Sequence, residues 1–429
     1  MIRFVVSNTL SPFSCFVLIA VTPLVAQTPL IVEYPLPTPS ARPTSIIAGA
    51  DGNIWFTEPG VNRIATISAS GSVREFDLPT PDAHPASLTL GPDGNIWFTE
   101  GAAAAIGRIN PDGAIAEFKV AKSPSDIVSG PDGNLWFIDK QSIVRMTTTG
   151  DVTEFPIRNS IGPVGIVKGS DGNLWFTAPD TFGKITLDGV VTLYPLSDSP
   201  NPSRSFVDYQ LGSATLNADG NVWTTGAGAI WRVSPLGDST FFPTSAYEPY
   251  GITSDATGNI WFTTRYGNTV VRLNSSGVMR DFAIPTDGSQ PFGSTVGPDG
   301  NIWFTEQAAN KIGVLNVSAA PPTDPPLAGP LSLAFFSPAN SQPASQLLSI
   351  ADSVTTPVSI TERSFGPWLF ISPSGDLVST QTIDVSASPK RLPCGPGTFA
   401  GAISLAAGPL RQTVTVQYRV LSPTSAAGC

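Results

Sequence analysis

The sequence predicts an all-β protein, and three observations carry that expectation. The segment Asp-Gly-Asn-Ile-Trp-Phe-Thr-Glu recurs in variants, with tryptophans at Trp55, Trp97, Trp136, Trp175, Trp223, Trp261 and Trp303, spaced 38 to 48 residues apart. Glycine (40) and proline (42) are abundant beside 41% apolar residues, the balance of a turn-rich chain with a core rather than of a disordered one. The last repeat lacks its closing segment, and an orphan copy of that segment opens the chain. Together they predict a seven-bladed β-propeller closed by an N-terminal strand, followed by a small immunoglobulin-like β-sandwich.

The elements follow in chain order. Met1-Ile2-Arg3 is a short basic start, the following apolar stretch is too interrupted to span a bilayer, and Leu24-Val25-Ala26 offers small residues for cleavage. Residues 1–26 therefore read as a signal peptide, and the product as secreted or periplasmic. Each repeat of residues 27–317 then runs in one order. A Pro-x-x-Ile-like run comes first, followed by an Asp-Gly-Asn turn and the Ile-Trp-Phe-Thr run. An Ile-Gly-Arg-Ile-like run, a second turn and Glu-Phe-x-x-Pro complete it. Asp-Gly and Gly-Asn between alternating apolar residues mark tight hairpins, because those residues tolerate positive φ. Four short strands in about 40 residues make a propeller blade. The orphan Val32-Glu33-Tyr34-Pro35-Leu36-Pro37 supplies the outer strand of blade seven, which covers an open edge. Residues 318–330 form a proline-rich linker, and the alternating segments of residues 331–429 suggest the sandwich.

Composition excludes several functions. Twenty-three basic against 33 acidic residues give a net charge of −10, which repels phosphate backbones and leaves nucleic acid out. The single histidine, His84, cannot furnish both a zinc site and a Ser/His or Cys/His dyad. Past the leader no segment is apolar for long enough to span a membrane, and the chain is expected to be a monomer. Cys394 and Cys429, the cysteines left after cleavage, are expected to pair in an oxidising compartment, free thiols being the alternative.

Gly91 to Glu100, repeated at Gly297 to Glu306, with Ile-Gly-Arg-Ile and Glu-Phe-x-Leu-Pro-Thr, resembles the streptogramin lyases, also called virginiamycin B lyases, over about residues 31–317. That resemblance implies a propeller that opens a cyclic depsipeptide by elimination, using Mg2+. A base takes the proton α to the ester carbonyl while the metal steadies the enolate. The family's histidines follow the proline that opens each of the last two blades. The matching positions here are Tyr250 and Phe292. Its acidic metal ligand before the last such proline falls on Gln290, and a second falls on or beside Glu306, which keeps a carboxylate.

Hairpin logic puts the Pro-x connections and the ends of the tryptophan strands on one face. Glu306, Glu58, Glu100 and Asp139 would form an acidic arc there over blades seven, one, two and three. It would face Tyr250, Phe292 and Arg265 as a stacking platform for a cation or a basic or hydroxyl-rich ligand. The competing reading is that these carboxylates accept backbone N–H bonds within the fold. An insertion in blade five around Asp198 to Arg204 falls on the same face.

The expected function is therefore a secreted binding or interaction protein. Its partner would be a small molecule, a polysaccharide or a protein. The alternative is a metal-assisted lyase or lactone-opening enzyme, with Glu306 and Tyr250 as catalytic candidates and Glu306 on Mg2+. Trp368 with Ser372 to Gly375, and Gly397 to Gly401, resemble BACON-type sandwich modules, with Trp368 read as core.

Overall fold

A computed structural model describes residues 30–157, 162–179, 181–195, 212–226, 228–244, 248–321, 324–330, 332–338, 343–351, 357–364, 368–373, 375–377, 381–388 and 397–421. Residues 1–26, expected as a signal peptide, the blade-five insertion, Cys394 and Cys429 lie outside these residues.

Seven four-stranded antiparallel units follow one another, each with the order inner, second, third, outer strand. Blade two is representative, with strands Pro85–Leu90, Ile96–Glu100, Ala105–Ile109 and Ile115–Lys119. Each inner strand touches the next, and that of blade seven (Pro291–Val296) touches that of blade one (Ile46–Ala48), so the cycle closes. The outer strand of blade seven is the N-terminal Ile31–Pro35, antiparallel to Lys311–Leu315.

Strand alternation explains the packing. Trp97 and Thr99 share one face of the second strand, while Ile96, Phe98 and Glu100 share the other. Each of the seven repeat tryptophans stacks on the aromatic of its blade's outer strand, as Trp97 does on Phe118 with ring centroids 5.3 Å apart. Blade seven has no such residue downstream, and Tyr34 provides it, 6.2 Å from Trp303. Across the seam, Trp55 is buried with Ile96, Phe98 and Ile109 of blade two. The tryptophan is thus the wedge between adjacent sheets.

Two polar systems tie the blades together. The motif threonine of the second strand accepts from its own inner strand and donates to the neighbouring one. Thr263 Oγ1 takes Gly251 N at 3.0 Å and gives to Phe292 O at 2.6 Å, and Thr305 Oγ1 gives to Thr44 O at 2.9 Å across the closure. In blade three Ile138 has no hydroxyl. There Asp126 links three inner strands, accepting from Ser87 Oγ at 2.5 Å, Ile127 N at 3.0 Å and Ile166 N at 2.9 Å. The second system explains the Glu-Phe-x-x-Pro-Thr pattern. Thr38, Thr80 and Thr286 each bind the outer-strand glutamate of the next blade (Glu75, Glu117 and Glu33) through backbone N–H and hydroxyl together. Between blades two and three the Lys122 ammonium takes this place, donating to Glu154 Oε1.

The C-terminal strands surround one core containing Phe335, Leu348, Trp368 and Tyr418. Trp368 is wholly buried, as its core reading expects. Leu327 and Ala328 join this core ahead of the expected boundary at 331. Strand Leu410–Leu421 pairs with the outer strand of blade six through Val278↔Gln412, Met279↔Arg411 and Arg280↔Leu410, so one sheet runs across both parts. Asp324, from the proline-rich segment, is buried between Arg272 and Arg280 of blade six. The segment expected as a proline-rich linker is thereby anchored to the propeller.

Candidate functional site

The Pro-x end of blades six and seven gathers four of the residues expected to form a site or to match the family's site positions. Tyr250 and Phe292 open the inner strands of adjacent blades, directly after Pro249 and Pro291. Glycines allow the close approach. A Cβ on Gly251 would stand 2.3 Å from Phe292 O, and one on Gly293 would stand 2.3 Å from Thr44 O. Thr225 and Thr263 hold the carbonyls of Tyr250 and Phe292. The two rings meet with centroids 4.1 Å apart and planes inclined by 38°. Both are half-buried, so the pair keeps a face toward solvent.

Arg265 completes the wall. It follows the second strand of blade six, with its N–H on Glu248 O at 3.0 Å. Its guanidinium carbon lies 5.7 Å from the ring centroid of Tyr250 and 5.7 Å from that of Tyr266, and Nη2 reaches Gln290 Oε1 at 3.5 Å. Arg265 Nε is buried without a hydrogen-bond partner among the described residues. Tyr266, 64% exposed, was not singled out from sequence, although its position beside Arg265 at a hairpin tip was the available signal.

The carboxylates stand elsewhere. Glu58, Glu100 and Glu306 are 0% exposed and Asp139 is 2% exposed, so they do not form the surface arc expected from sequence. Each ends its second strand on the face shared with phenylalanine or isoleucine-type core residues, one step out of phase with the tryptophan. Glu306 Oε1 packs toward Gly313, where a Cβ would come within 2.8 Å. Burial pushes the Glu306 and Glu58 carboxyls up to about 8, helped by the negative neighbours Glu33 and Glu75. Burial and Glu117 push Glu100 up to about 7, and burial also raises Asp139. Neither oxygen of Glu58, Glu100 or Glu306 has a hydrogen-bond partner among the described residues. Burial thus favours the protonated form of Glu58, Glu100 and Glu306, and among the described residues these three do not accept backbone N–H bonds either. His84 is exposed, precedes Pro85 with φ of 52°, and stands on blade two, away from the aromatic pair.

The virginiamycin B lyase family model matches residues 22–208 and 208–322. A solved streptogramin B lyase is 31% identical, covering 67% of this chain and 97% of its own, with a TM-score of 0.62. The chain belongs to the virginiamycin B lyase family. The enzyme from Staphylococcus aureus is 32% identical over 66% of this chain and 98% of its own, TM-score 0.61. Its catalytically inactive histidine-to-alanine variant, solved with quinupristin, matches at 31% identity, over 66% and 98% of the two chains, with a TM-score of 0.61. An extracellular domain from B. thetaiotaomicron, assigned to a hybrid two-component system, shares the fold at 13% identity. It covers 92% of this chain and 58% of its own, with a TM-score of 0.58. No curated protein matches the sequence.

For this virginiamycin B lyase family member the resemblance implies a magnesium ion. Magnesium needs several convergent oxygen ligands, usually including carboxylates. Here Gln290 and Phe292 face the site, and the Glu306 carboxyl is turned into the blade beside Glu33 and favours its neutral form. No group of three His, Cys, Asp or Glu side chains converges among the described residues. The residues present do not fit the ion. Among the described residues no helix is long and apolar enough to cross a membrane.

Proposed function

We propose that this family member is an exported binding protein that holds a ring-bearing ligand on Tyr250, Phe292 and Arg265 and does not catalyse its relatives' elimination. The observation that carries this reading is the tilted Tyr250–Phe292 ring contact at the two positions that the resemblance gives to histidines. An elimination needs a group that accepts the α-proton. Phe292 has none, Tyr250 offers only a phenol hydroxyl, and the Glu306 carboxyl, paired in register with Pro291, is buried in its blade. What remains is suited to recognition. Two aromatic faces supply stacking area at low entropic cost, and an arginine with an unpaired Nε supplies direction. Residues 1–26 are proposed to direct export, and residues 331–421 to be an immunoglobulin-like module set rigidly on blade six.

The test is a screen of the purified protein against glycan and peptide arrays, with Tyr250→Ala and Phe292→Ala beside it. A ligand of this face loses roughly 30-fold or more in affinity in each variant, the loss typical of a central aromatic contact. Ligands whose binding both variants retain would disprove the assignment of the face. Ring opening of a cyclic ester or depsipeptide by the purified protein would favour the lyase or lactone-opening alternative instead.

A further inference from the structure

Blade five departs from its six companions at the turn between its inner and second strands. Elsewhere the tryptophan Nε1–H is latched to an aspartate of that turn, as in Trp97 to Asp93 at 2.9 Å and Trp136 to Asp132 at 3.0 Å. The indole reaches the carboxylate over a glycine, because a Cβ on Gly91 would stand 2.3 Å from Trp97 Cδ1 and 2.5 Å from Nε1. Blade five carries Asn217 at this position. Trp223 Nε1 has no partner among the described residues, and Asp219 spends its oxygens on Asn221 N and Nδ2 at 3.0 and 2.8 Å. Blade six also lacks the glycine, but there Asp255 occupies the position and takes Trp261 Nε1 itself at 2.8 Å.

The third-strand cation of blade five also lacks a turn aspartate among the described residues, as does Arg145 of blade three, which gives its guanidinium to Leu187 O at 3.2 Å instead. Lys184 reaches the turn aspartate Asp171 at 3.4 Å, and Arg108 reaches Asp93 at 3.9 Å. Arg232 has no ion pair among the described residues, and its guanidinium lies 5.7 Å from the Trp223 ring with Nη2 on Thr240 Oγ1 at 3.3 Å. Trp223 and Arg232 both line a cleft of about 370 Å³ between the turns of blades five and six, together with Asn217, Asp219, Asn274 and Ser275. The amide nitrogens of Asn217 and Asn274 are already given to Gly258 O at 3.1 Å and Asp324 O at 3.0 Å. The uncommitted polar capacity of the cleft therefore centres on the Arg232 guanidinium, with the Ser275 hydroxyl at its rim.

We propose that this cleft binds a monosaccharide-sized carboxylate, a hexuronate being the simplest member, with the carboxylate on Arg232. A guanidinium without a protein anion matches a carboxylate in geometry and charge. The volume lies near the lower end of small-molecule sites. Asp219 on the wall admits one negative charge beside Arg232 but works against a dianion such as phosphate. The cleft opens at the strand ends opposite to Tyr250 and Phe292, so it stands or falls independently of the reading of that face.

Sodium glucuronate, glucose and inorganic phosphate are titrated separately into the purified protein while the indole N–H resonances are followed. That of Trp223 is assigned by its loss in Trp223→Phe. Glucuronate shifts this resonance saturably, glucose and phosphate bind at least ~10-fold more weakly, and Arg232→Gln weakens glucuronate by roughly 10- to 100-fold, the worth of a charged hydrogen bond. Asn217→Gly is the second arm, which removes no cation. It restores the latch, moves the Trp223 resonance toward those of the other latched indoles and weakens glucuronate. No saturable shift by about 10 mM glucuronate, equal affinity for glucose, phosphate binding as tightly (an adventitious anion site only), or affinity unchanged in both variants would overturn the proposal.

Discussion

Tyr34 lies on Trp303 with ring planes only 10° apart, joining the first described strand to the last blade. The same stack occurs within every other blade, so the N-terminal strand completes a repeated unit and is not an added strap. Glu33 beside it binds Lys311 Nζ at 3.0 Å and Thr286 N at 3.0 Å, the staple used between other blades.

Tyr34→Ala is therefore expected to cost about as much as the mid-chain Phe118→Ala, roughly 2–4 kcal/mol for loss of a stacked, largely covered ring. Urea unfolding of the two variants against wild type checks this. A Tyr34→Ala cost near zero beside a large Phe118→Ala cost would mean that the closure strand adds little.

The buried carboxyls set a pH dependence. Glu306 and Glu58 hold their protons in the folded state up to about 8, whereas the unfolded chain releases them near the ordinary value of 4.5. Their contribution is fully present below about 4.5 and is lost as pH rises toward 8, because the folded state must then either keep a proton or bury a charge. Glu306→Gln, neutral at all pH, is expected to melt like wild type near pH 5 and above it near pH 9. Melting curves at the two pH values decide, and a parallel fall of both proteins would exclude Glu306 as a source.

Asp324 joins the two parts of the chain through a buried charge cluster. Arg272 Nη2 binds its Oδ2 at 2.7 Å and Pro321 O at 2.6 Å, and Arg280 binds its Oδ1. Asp324→Ala leaves Arg272, 3% exposed, without its anion, a loss of about 3–5 kcal/mol. Calorimetry is expected to record one transition for wild type and two for Asp324→Ala, as the C-terminal strands separate from blade six. Two well-resolved transitions already in wild type would contradict this coupling.

The ring was legible because its signals are local and repeated. A tryptophan period, Asp-Gly turns and one orphan Glu-Tyr-Pro segment settle strand order without any distant contact. The contact between Tyr250 and Phe292 was legible too, since they hold equivalent positions in adjacent repeats. The acidic arc failed on a matter of phase. Glu58 lies three residues beyond Trp55, an odd step that turns it to the Phe56 face and into the sheet packing. Its negative neighbour Glu75 sits on the outer strand, two strands away, and only the register Phe56↔Ala65↔Glu75 brings that neighbourhood together. The join at Arg280↔Leu410 was not legible, because a three-residue edge pairing leaves no pattern in sequence. Nor was the cleft at Trp223, which depends on Asn217 standing where five of the other six turns have glycine.

The most direct measurement incubates purified protein with quinupristin and magnesium and separates cyclic from linear depsipeptide by chromatography, with an authentic streptogramin B lyase in parallel. The predicted result is cyclic quinupristin recovered in full while the lyase control linearises it. Linear product above the buffer blank, abolished by Tyr250→Phe or Glu306→Gln, would contradict the central claim that the aromatic pair has replaced catalysis with recognition.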